Sequence, residues 1–373
     1  MNLLEHAAKH LVLRNGGIAI PQGIVCHTPD EAREAFEVLR RPCVAKAQVP
    51  AGKRGKSGGI VVVTNAHEAH DAARSLLGTC IAGHRVSAVL LEEKANIAKE
   101  YYAAVLPDAA GRAPMVLFSE EGGMDIEELA EANPAAIRQA TVDVLKGFSE
   151  EEAAALVEGA PHDAVLAPVL VKLYDAFRAH DAALLEINPL AVLDDGRAVA
   201  LDCKFTLDPA AASRQPELAK AAVPEPLTDL ERLAAEAGLK YIELSGNVAL
   251  LANGAGLTMT TMDTVSRLGG TPANFQEIGG EAYTKAEAAL KIVLAHQGVK
   301  SLVVNFCGAF ARTDVMAAGV VAAWEALKPD IPVFFSIHGT GEDEAVALVR
   351  ERLGIEPFDF MEDAVKAAVE AAR

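Results

Sequence analysis

The sequence predicts two domains of different class: an α+β half, followed by an α/β half built on a doubly wound parallel sheet. Three observations carry this reading. From residue 247 onward, strand-like and helix-like runs alternate in step, as a parallel sheet with crossover helices requires. Before residue 205, strands cluster first, helices follow and strands return, which is an α+β order. Between them, Pro209, Pro216, Pro224 and Pro226 stand among many alanines, so a linker is placed at 205–236 and the domains at 1–236 and 237–373. A chain of 373 residues gives each half enough length for a core of its own.

In the first half, Leu3, Leu4, Ala7, Ala8 and Leu11 share one face of an opening helix that Gly16 and Gly17 close. Residues 18–26, with Pro21, read as a short edge strand, and 29–39 as a helix capped by Thr28. Strands at 43–48 and 60–64 flank a loop, and Asn65 caps a helix running to 77. A strand at 86–91 ends on Glu92 and Glu93. Strands at 100–106 and 115–119 follow, then an acidic helix at 125–130 and an alanine-rich, mostly helical stretch over 133–180. In the second half, strands at 247–252, 273–278, 302–306, 332–337 and 358–360 alternate with helices at 257–268, 285–296, 314–326, 342–353 and 362–372. The C-terminal ends of such strands are where ligands bind, and here they carry NGAG, IGG, NFCGAFARTD and HGTG.

Composition narrows the function. Aromatic residues are 5% of the chain and the formal net charge is -18, so base-stacking platforms and phosphate backbones are poor partners. Any phosphate must be met by a few placed cations, and only Lys53, Arg54 and Lys56 concentrate positive charge. Five widely spaced cysteines form no C-x-x-C pair and point to buried thiols in a reducing compartment. The N-terminus lacks the pattern of a signal peptide and no apolar run approaches 18 residues. A cytoplasmic protein with no membrane partner is expected.

The stretch LLEINPLAVLDDGRAVALDCK, residues 184–204, reads as a hairpin turning at Asp194, Asp195 and Gly196. That turn sets Asn188 opposite Asp202 and Glu186 opposite Lys204. Alternation then sends Leu185, Ile187, Val199, Leu201 and Cys203 to one face and Glu186, Asn188, Asp202 and Lys204 to the other. The polar face offers hard oxygen donors of the kind Mg²⁺ accepts when phosphates complete its shell. An ordinary antiparallel pair with one solvated face has the same pattern, and Pro189 marks an edge or a bulge.

The loop PAGKRGKSGG, residues 50–59, reads as a phosphate clamp between two strands, or as a flexible basic surface loop. Gly55, Lys56 and Ser57 imitate the end of a Walker A loop. Pro50 stands where that loop's first glycine belongs and a strand follows, so a P-loop is rejected. Lys46, inside a small apolar strand, needs a partner for its charge, and a phosphate would be one. Glu92, Glu93 and Glu100 could face a ribose or an adenine amine, or be ordinary exposed acids. Gly254 and Gly256 start like a dinucleotide fold, but Met259 replaces the third glycine; Glu277 keeps an NAD reading open. The helix starts after Gly256 and after the loop 308–311 offer N–H groups to a carboxylate or phosphate. His338 is the only histidine placed like a catalytic group, and no G-x-S-x-G elbow occurs.

Taken together, MNLLEHAAKHL, VAKAQVPAGKRGKSGGI, ANIAKE, EGGMDIEELA, LLEINPLAVL, ALDCK, NGAGLTMTTMD, GGTPANF and N-F-x-G-x-x-x-R-x-D resemble the β subunits of ADP-forming succinyl-CoA synthetases and the related malate-CoA ligases. The resemblance implies an ATP-grasp domain followed by a flavodoxin-like CoA-ligase domain, working with a separate α subunit. Position by position, it implies that Lys46, Lys53, Arg54, Gly55, Glu92 and Glu100 bind ATP, and that Asn188 and Asp202 hold Mg²⁺. Glu186 would face a phosphohistidine brought by the α subunit. Asn253 and the loop Gly308, Ala309, Phe310, Ala311 would hold a small carboxylic acid. It also implies the reaction: ATP phosphorylates the partner's histidine, the phosphoryl group passes to the acid, and the thiol of CoA attacks the acyl phosphate. The G-H-A-G of a phosphohistidine segment is absent, since Gly83, His84 and Arg85 do not reproduce it. The family's usual G-G-I-V is Gly308 to Ala311 here, its R-L-x-G-N-N is replaced over 336–341, and Lys53 stands where a glycine is common. A phenylalanine at the acid loop suggests an acid bulkier or differently shaped than succinate. The rival readings are an NAD-dependent oxidoreductase and a non-catalytic nucleotide or acyl-CoA sensor.

Overall fold

Thr28, Asn65 and Asp125 each precede an acidic first turn, and each accepts from backbone N–H groups of that turn: Glu31 at 3.2 Å, Glu68 at 2.9 Å and Glu127 at 3.1 Å. They open the helices Pro29–Leu39, Ala66–Leu76 and Ile126–Ala132, and such caps are worth about 1 kcal/mol apiece. The computed structural model describes residues 1–50, 52, 57–224, 227–279 and 284–373, which form two compact units, Met1–Glu225 and Pro226–Arg373.

Among the described residues the first unit holds two main sheets and a two-stranded ribbon, Cys80–Ile81 against His84–Arg85. The smaller main sheet is antiparallel in the order Gly23–Cys26, Val89–Glu93, Cys43–Ala47, Ile60–Val63. Small residues of the two adjoining helices, Ala32, Ala35, Ala69, Ala72 and Ala73, pack with Cys43, Ala45 and Ala47 of the sheet. The larger sheet runs Ile137–Thr141, Ala113–Ser119, Ile97–Asp108, Ala182–Leu193, Lys204–Leu207, Asn2–Leu3, Ala222–Val223, with Ala198–Ala200 pairing onto Ala182–Leu193. Its core sets Tyr101, Phe118 and Phe205 with Leu166, Leu170 and Tyr174 of the helix Asp163–Ala179. The opening helix is an α-turn, Glu5–Ala8, continued by a π-turn, Lys9–Arg14. One segment expected to be helical is a strand: Ile137–Thr141 pairs antiparallel with Ala113–Ser119. Its ladder bonds outweigh the helical preference of its alanine-rich surroundings.

In the second unit the sheet order is Lys240–Glu243, Asn274–Glu277, Val248–Ala252, Ser301–Gly308, Val333–Gly339. The last four are mutually parallel and Lys240–Glu243 is antiparallel at the edge. Ala249 and Leu251 pack with the helices Ala286–Ala295, Thr313–Leu327 and Glu342–Leu353 on one face. Val248 and Leu250 pack with Ala255–Arg267 and Met361–Ala371 on the other, so the sheet is doubly wound as expected. The fifth strand is not the expected 358–360, where only an isolated bridge from Phe358 to Ser336 forms before the last helix begins at Met361. It is Lys240–Glu243, whose alternation buries Tyr241 and leaves Ile242 exposed, as suits an edge. The helix Asp229–Glu236 belongs to this unit too, through Ala234 in its core and Glu231, whose carboxylate accepts from Glu243 N at 3.1 Å. The boundary therefore falls at 225, ahead of the expected 236. Among the described residues, no helix is long and apolar enough to cross a membrane.

Candidate active site

A cleft of about 740 Å³ in the first unit gathers Lys46, Glu92, Glu100, Glu186, Asn188 and Asp202. Lys53, Arg54 and Gly55 lie outside the described residues, as does Lys56, but Gly52 and Ile60 on either side of them line the cleft. Nine of the described lining residues are acids and three are lysines. A polyanion therefore needs added cations to sit here.

Lys46, midway along Cys43–Ala47, meets its partners inside the chain. Its Nζ donates to Glu5 Oε1 at 3.0 Å, Glu92 Oε2 at 2.7 Å and Leu201 O at 2.6 Å. Burial alone would lower its ammonium, but Glu5, Glu92 and Asp202, with the hydrogen bond to Glu92, outweigh it and hold Lys46 above the ordinary lysine range. Lys9 makes a parallel set: Glu5 Oε1 at 2.8 Å, Glu92 Oε1 at 2.7 Å and Leu201 O at 2.6 Å. Both oxygens of Glu92 thus serve ammonium groups, while the residue still lines the cleft. Glu100 keeps a partly exposed place on the wall, where desolvation raises its carboxyl above the ordinary range.

The turn at Asp195 sets the register the sequence predicts. Glu186 pairs with Lys204, Leu190 with Ala200, and Leu201 N donates to Pro189 O at 3.1 Å. The expected alternation fails in the middle. A bulge between Ile187 and Leu190, and the unpaired segment 201–203, move Ala200 rather than Val199 into the core with Leu185 and Ile187. Asn188 is clamped across the cleft wall, its Oδ1 accepting from Gly123 N and its Nδ2 donating to Met124 O, both at 2.8 Å. Desolvation raises Glu186's carboxyl, with Asp202 and Glu127 adding to the effect and Lys204 and Tyr102 partly offsetting it. Tyr102 donates to Glu186 Oε2 at 3.4 Å.

At the strand ends of the second unit, Asn253 bridges to the neighbouring strand: Nδ2 donates to Cys307 O at 2.8 Å and Oδ1 accepts from Cys307 N at 2.7 Å. Beyond it, Ala309 and Phe310 are exposed, Phe310 at 87%, and Ala311 packs partly against the core. Gly308 is the register partner of Gly339. A Cβ on Gly339 would lie 2.2 Å from Gly308 O, and its φ of 90° is glycine's own region. His338 Nδ1 sits 3.3 Å from Glu342 Oε1, whose other oxygen accepts from Gly339 N at 2.7 Å.

Comparison with known proteins decides the family. Residues 2–192 match the ATP-grasp domain family and residues 251–369 the CoA-ligase family. The succinate–CoA ligase [ADP-forming] β subunit of Rubrobacter xylanophilus is 41% identical over all of this chain and 99% of its own length. The chain belongs to the succinate–CoA ligase β-subunit family. Its two units are the ATP-grasp and CoA-ligase domains of that ligase family. The [GDP-forming] β subunit of Thermus thermophilus is 42% identical over 94% of this chain and 93% of its own. The structure of ATP citrate lyase from Methanothrix soehngenii in complex with citrate and coenzyme A covers 99% of both chains with a TM-score of 0.74 at 22% identity, a likeness of fold. Reading this β-subunit sequence residue by residue misses Glu5 and Lys9. Their spacing of four on the opening helix is the one signal they carry, and it is that of any surface pair.

Proposed function

We propose that this chain is the β subunit of an ATP-dependent carboxylate–CoA ligase, forming acyl-CoA, ADP and phosphate through a phosphohistidine on an α subunit. One observation carries the reading: Glu186, Asn188 and Asp202 leave the two arms of one hairpin into the same cleft as Lys46 and the flanks of the loop 50–59. The oxygen set suits Mg²⁺, which takes one or two protein ligands and leaves the rest of its shell to water and phosphate. Among the described residues, no cluster of three His, Cys, Asp or Glu side chains forms a dedicated cage, and Asp202 with Asn188 Oδ1 is the smaller set such a shared site needs. Bound there, Mg²⁺ neutralises charge on the nucleotide's phosphates.

The residues divide the remaining work. Lys53, Arg54 and Gly55 bind the nucleotide's phosphates, adding cations where acids outnumber lysines nine to three along the described wall. The clamp on Asn188 fixes its amide, so the oxygen is presented without rearrangement. Glu186 accepts the N–H of the incoming imidazole and leaves the other ring nitrogen as nucleophile. Tyr102 hydrogen-bonds that carboxylate, and the charge of Lys204, its register partner, acts on it from the adjacent strand. In the second domain, Asn253 ties two strand ends together, and the loop Gly308 to Ala311 holds the acid at the N-terminal side of the helix Thr313–Leu327. Phe310 favours an acid other than succinate, malate or another dicarboxylate being the alternative. The protein works in the cytoplasm, and neither nucleic acid nor membrane is among its partners.

Co-expression with its α partner, followed by a screen of acids for ATP- and CoA-dependent thioester formation, tests the reading. The purified chain alone binds Mg·ATP and makes no acyl-CoA. Thioester formation by the chain alone, verified free of host α subunit, refutes it.

A further inference from the structure

Asp202 stands outside regular structure: the strand before it ends at Ala200 and the next begins at Lys204. Its carboxylate Oδ1 accepts from Cys203 N at 2.7 Å, which turns the side chain back on its own backbone. Leu201 N donates to Pro189 O at 3.1 Å and Cys203 is buried in the core, and the carbonyl of Leu201, the residue before Asp202, adds a third tie to the rest of the unit. That oxygen accepts from two ammonium groups, Lys9 Nζ and Lys46 Nζ, each at 2.6 Å. Lys9 reaches it from the opening helix with 1% of its surface exposed. A cation so deeply buried is seldom placed without a task, and charge balance is only half of this one. Glu5 and Glu92 balance Lys9 and Lys46 as two acids against two bases. The third donor of Lys9 is spent on a backbone oxygen one residue from a proposed ligand.

We infer that Lys9 is a positioning residue, which sets the Asp202 carboxylate in the cleft by holding the Leu201 carbonyl. The inference rests on the reading of Asp202 as a metal ligand. It makes the opening helix part of the nucleotide site although no residue of that helix lines the cleft.

The test measures Mn²⁺ binding to the full chain with saturating ADP, by the loss of the free-ion electron-spin signal. Lys9→Met raises the Mn²⁺ dissociation constant about 10- to 100-fold, the usual cost of losing a group that orients a ligand. Glu5→Gln with Lys9→Met restores the charge balance but not the Leu201 contact. That double variant shows the same weakening, and it carries the test if the single variant fails to fold. Wild-type affinity in a folded variant of either kind overturns the inference, because Lys46 then suffices or balance was the whole role. Asp202→Ala, run alongside, separates the two levels. Lost binding there with intact binding in the Lys9 variants refutes only the role of Lys9, whereas intact binding in Asp202→Ala removes the metal reading and this inference with it.

Discussion

Lys46→Met tests whether the lysine that sequence reasoning assigned to a phosphate is first a structural charge. The substitution keeps most of the side-chain volume and removes two ion contacts, at 3.0 Å to Glu5 and 2.7 Å to Glu92. Lys9 is left facing two buried acids, each almost wholly out of solvent. Breaking a buried pair by removing one partner costs about 3–5 kcal/mol. In a domain of this size each kcal/mol moves the melting point by about 2–4 °C, so the nucleotide-free chain should melt about 6–20 °C lower. The assay is thermal unfolding followed by circular dichroism, with no nucleotide present. Because Lys46 is held above its ordinary value of 10.5, its contribution is fully present below that pH and fades only as pH rises through the raised value. A scan at pH 7.5 therefore reads it whole. Lys46→Met with Glu92→Gln leaves Glu5 paired with Lys9 and should recover more than half of the loss. A single variant melting within about 2 °C of wild type would refute the argument, and would mean that Lys46 is held for its ligand alone.

Three further variants have expected outcomes. Asp202→Ala stays folded but loses Mg²⁺-dependent ATP turnover with the α partner present, and wild-type turnover in a soluble variant would sink the metal assignment. Glu186→Gln melts higher than wild type at pH 7.5, because burial penalises the charged carboxylate; the penalty is absent below the ordinary value of 4.5, so the difference should vanish in acid. The same variant should bind Mg·ATP and fail to phosphorylate the partner's histidine, which a radiolabelled transfer assay reads directly. Phe310→Ile with Ala311→Val raises kcat/KM for succinate relative to the native acid by roughly 10- to 200-fold, the worth of one fitted methylene. The KM for ATP stays unchanged, and an unaltered ranking of acids would clear this loop of a selective role.

The sequence carried the hairpin well because a turn fixes register by counting. With Asp195 at the tip, Glu186 had to meet Lys204, and it does. The alternation of faces failed at Asn188 and again at Asp202, where a bulge and an unpaired segment intervene; the bulge lies in the pairing with the strand Ile97–Asp108, and the carbonyl of Leu201 in the unpaired segment is taken by Lys9 and Lys46, partners that no local pattern reveals. The missed strand Ile137–Thr141 has the same cause, since a partner remote in sequence decides its state. In the second domain four of five strands were legible from periodicity, and the exception was an edge strand four residues long. The partners of Lys46 were hidden for a different reason. Burial of a cation in an apolar strand announces that something must compensate it, but Glu5 lies 41 positions away and Glu92 lies 46.

Gly308 and Gly339 cross so closely that neither can gain a side chain without parting the two strands. That immobility channels how this protein can change. Drift at this edge of the second domain is confined to the positions around the crossing: Ala309, Phe310 and Ala311 after one strand, His338 and Thr340 at the end of the other. A random library spread over the whole edge would waste its members on the two glycines. One restricted to those five positions keeps the backbone as it is and searches only the chemistry displayed upon it.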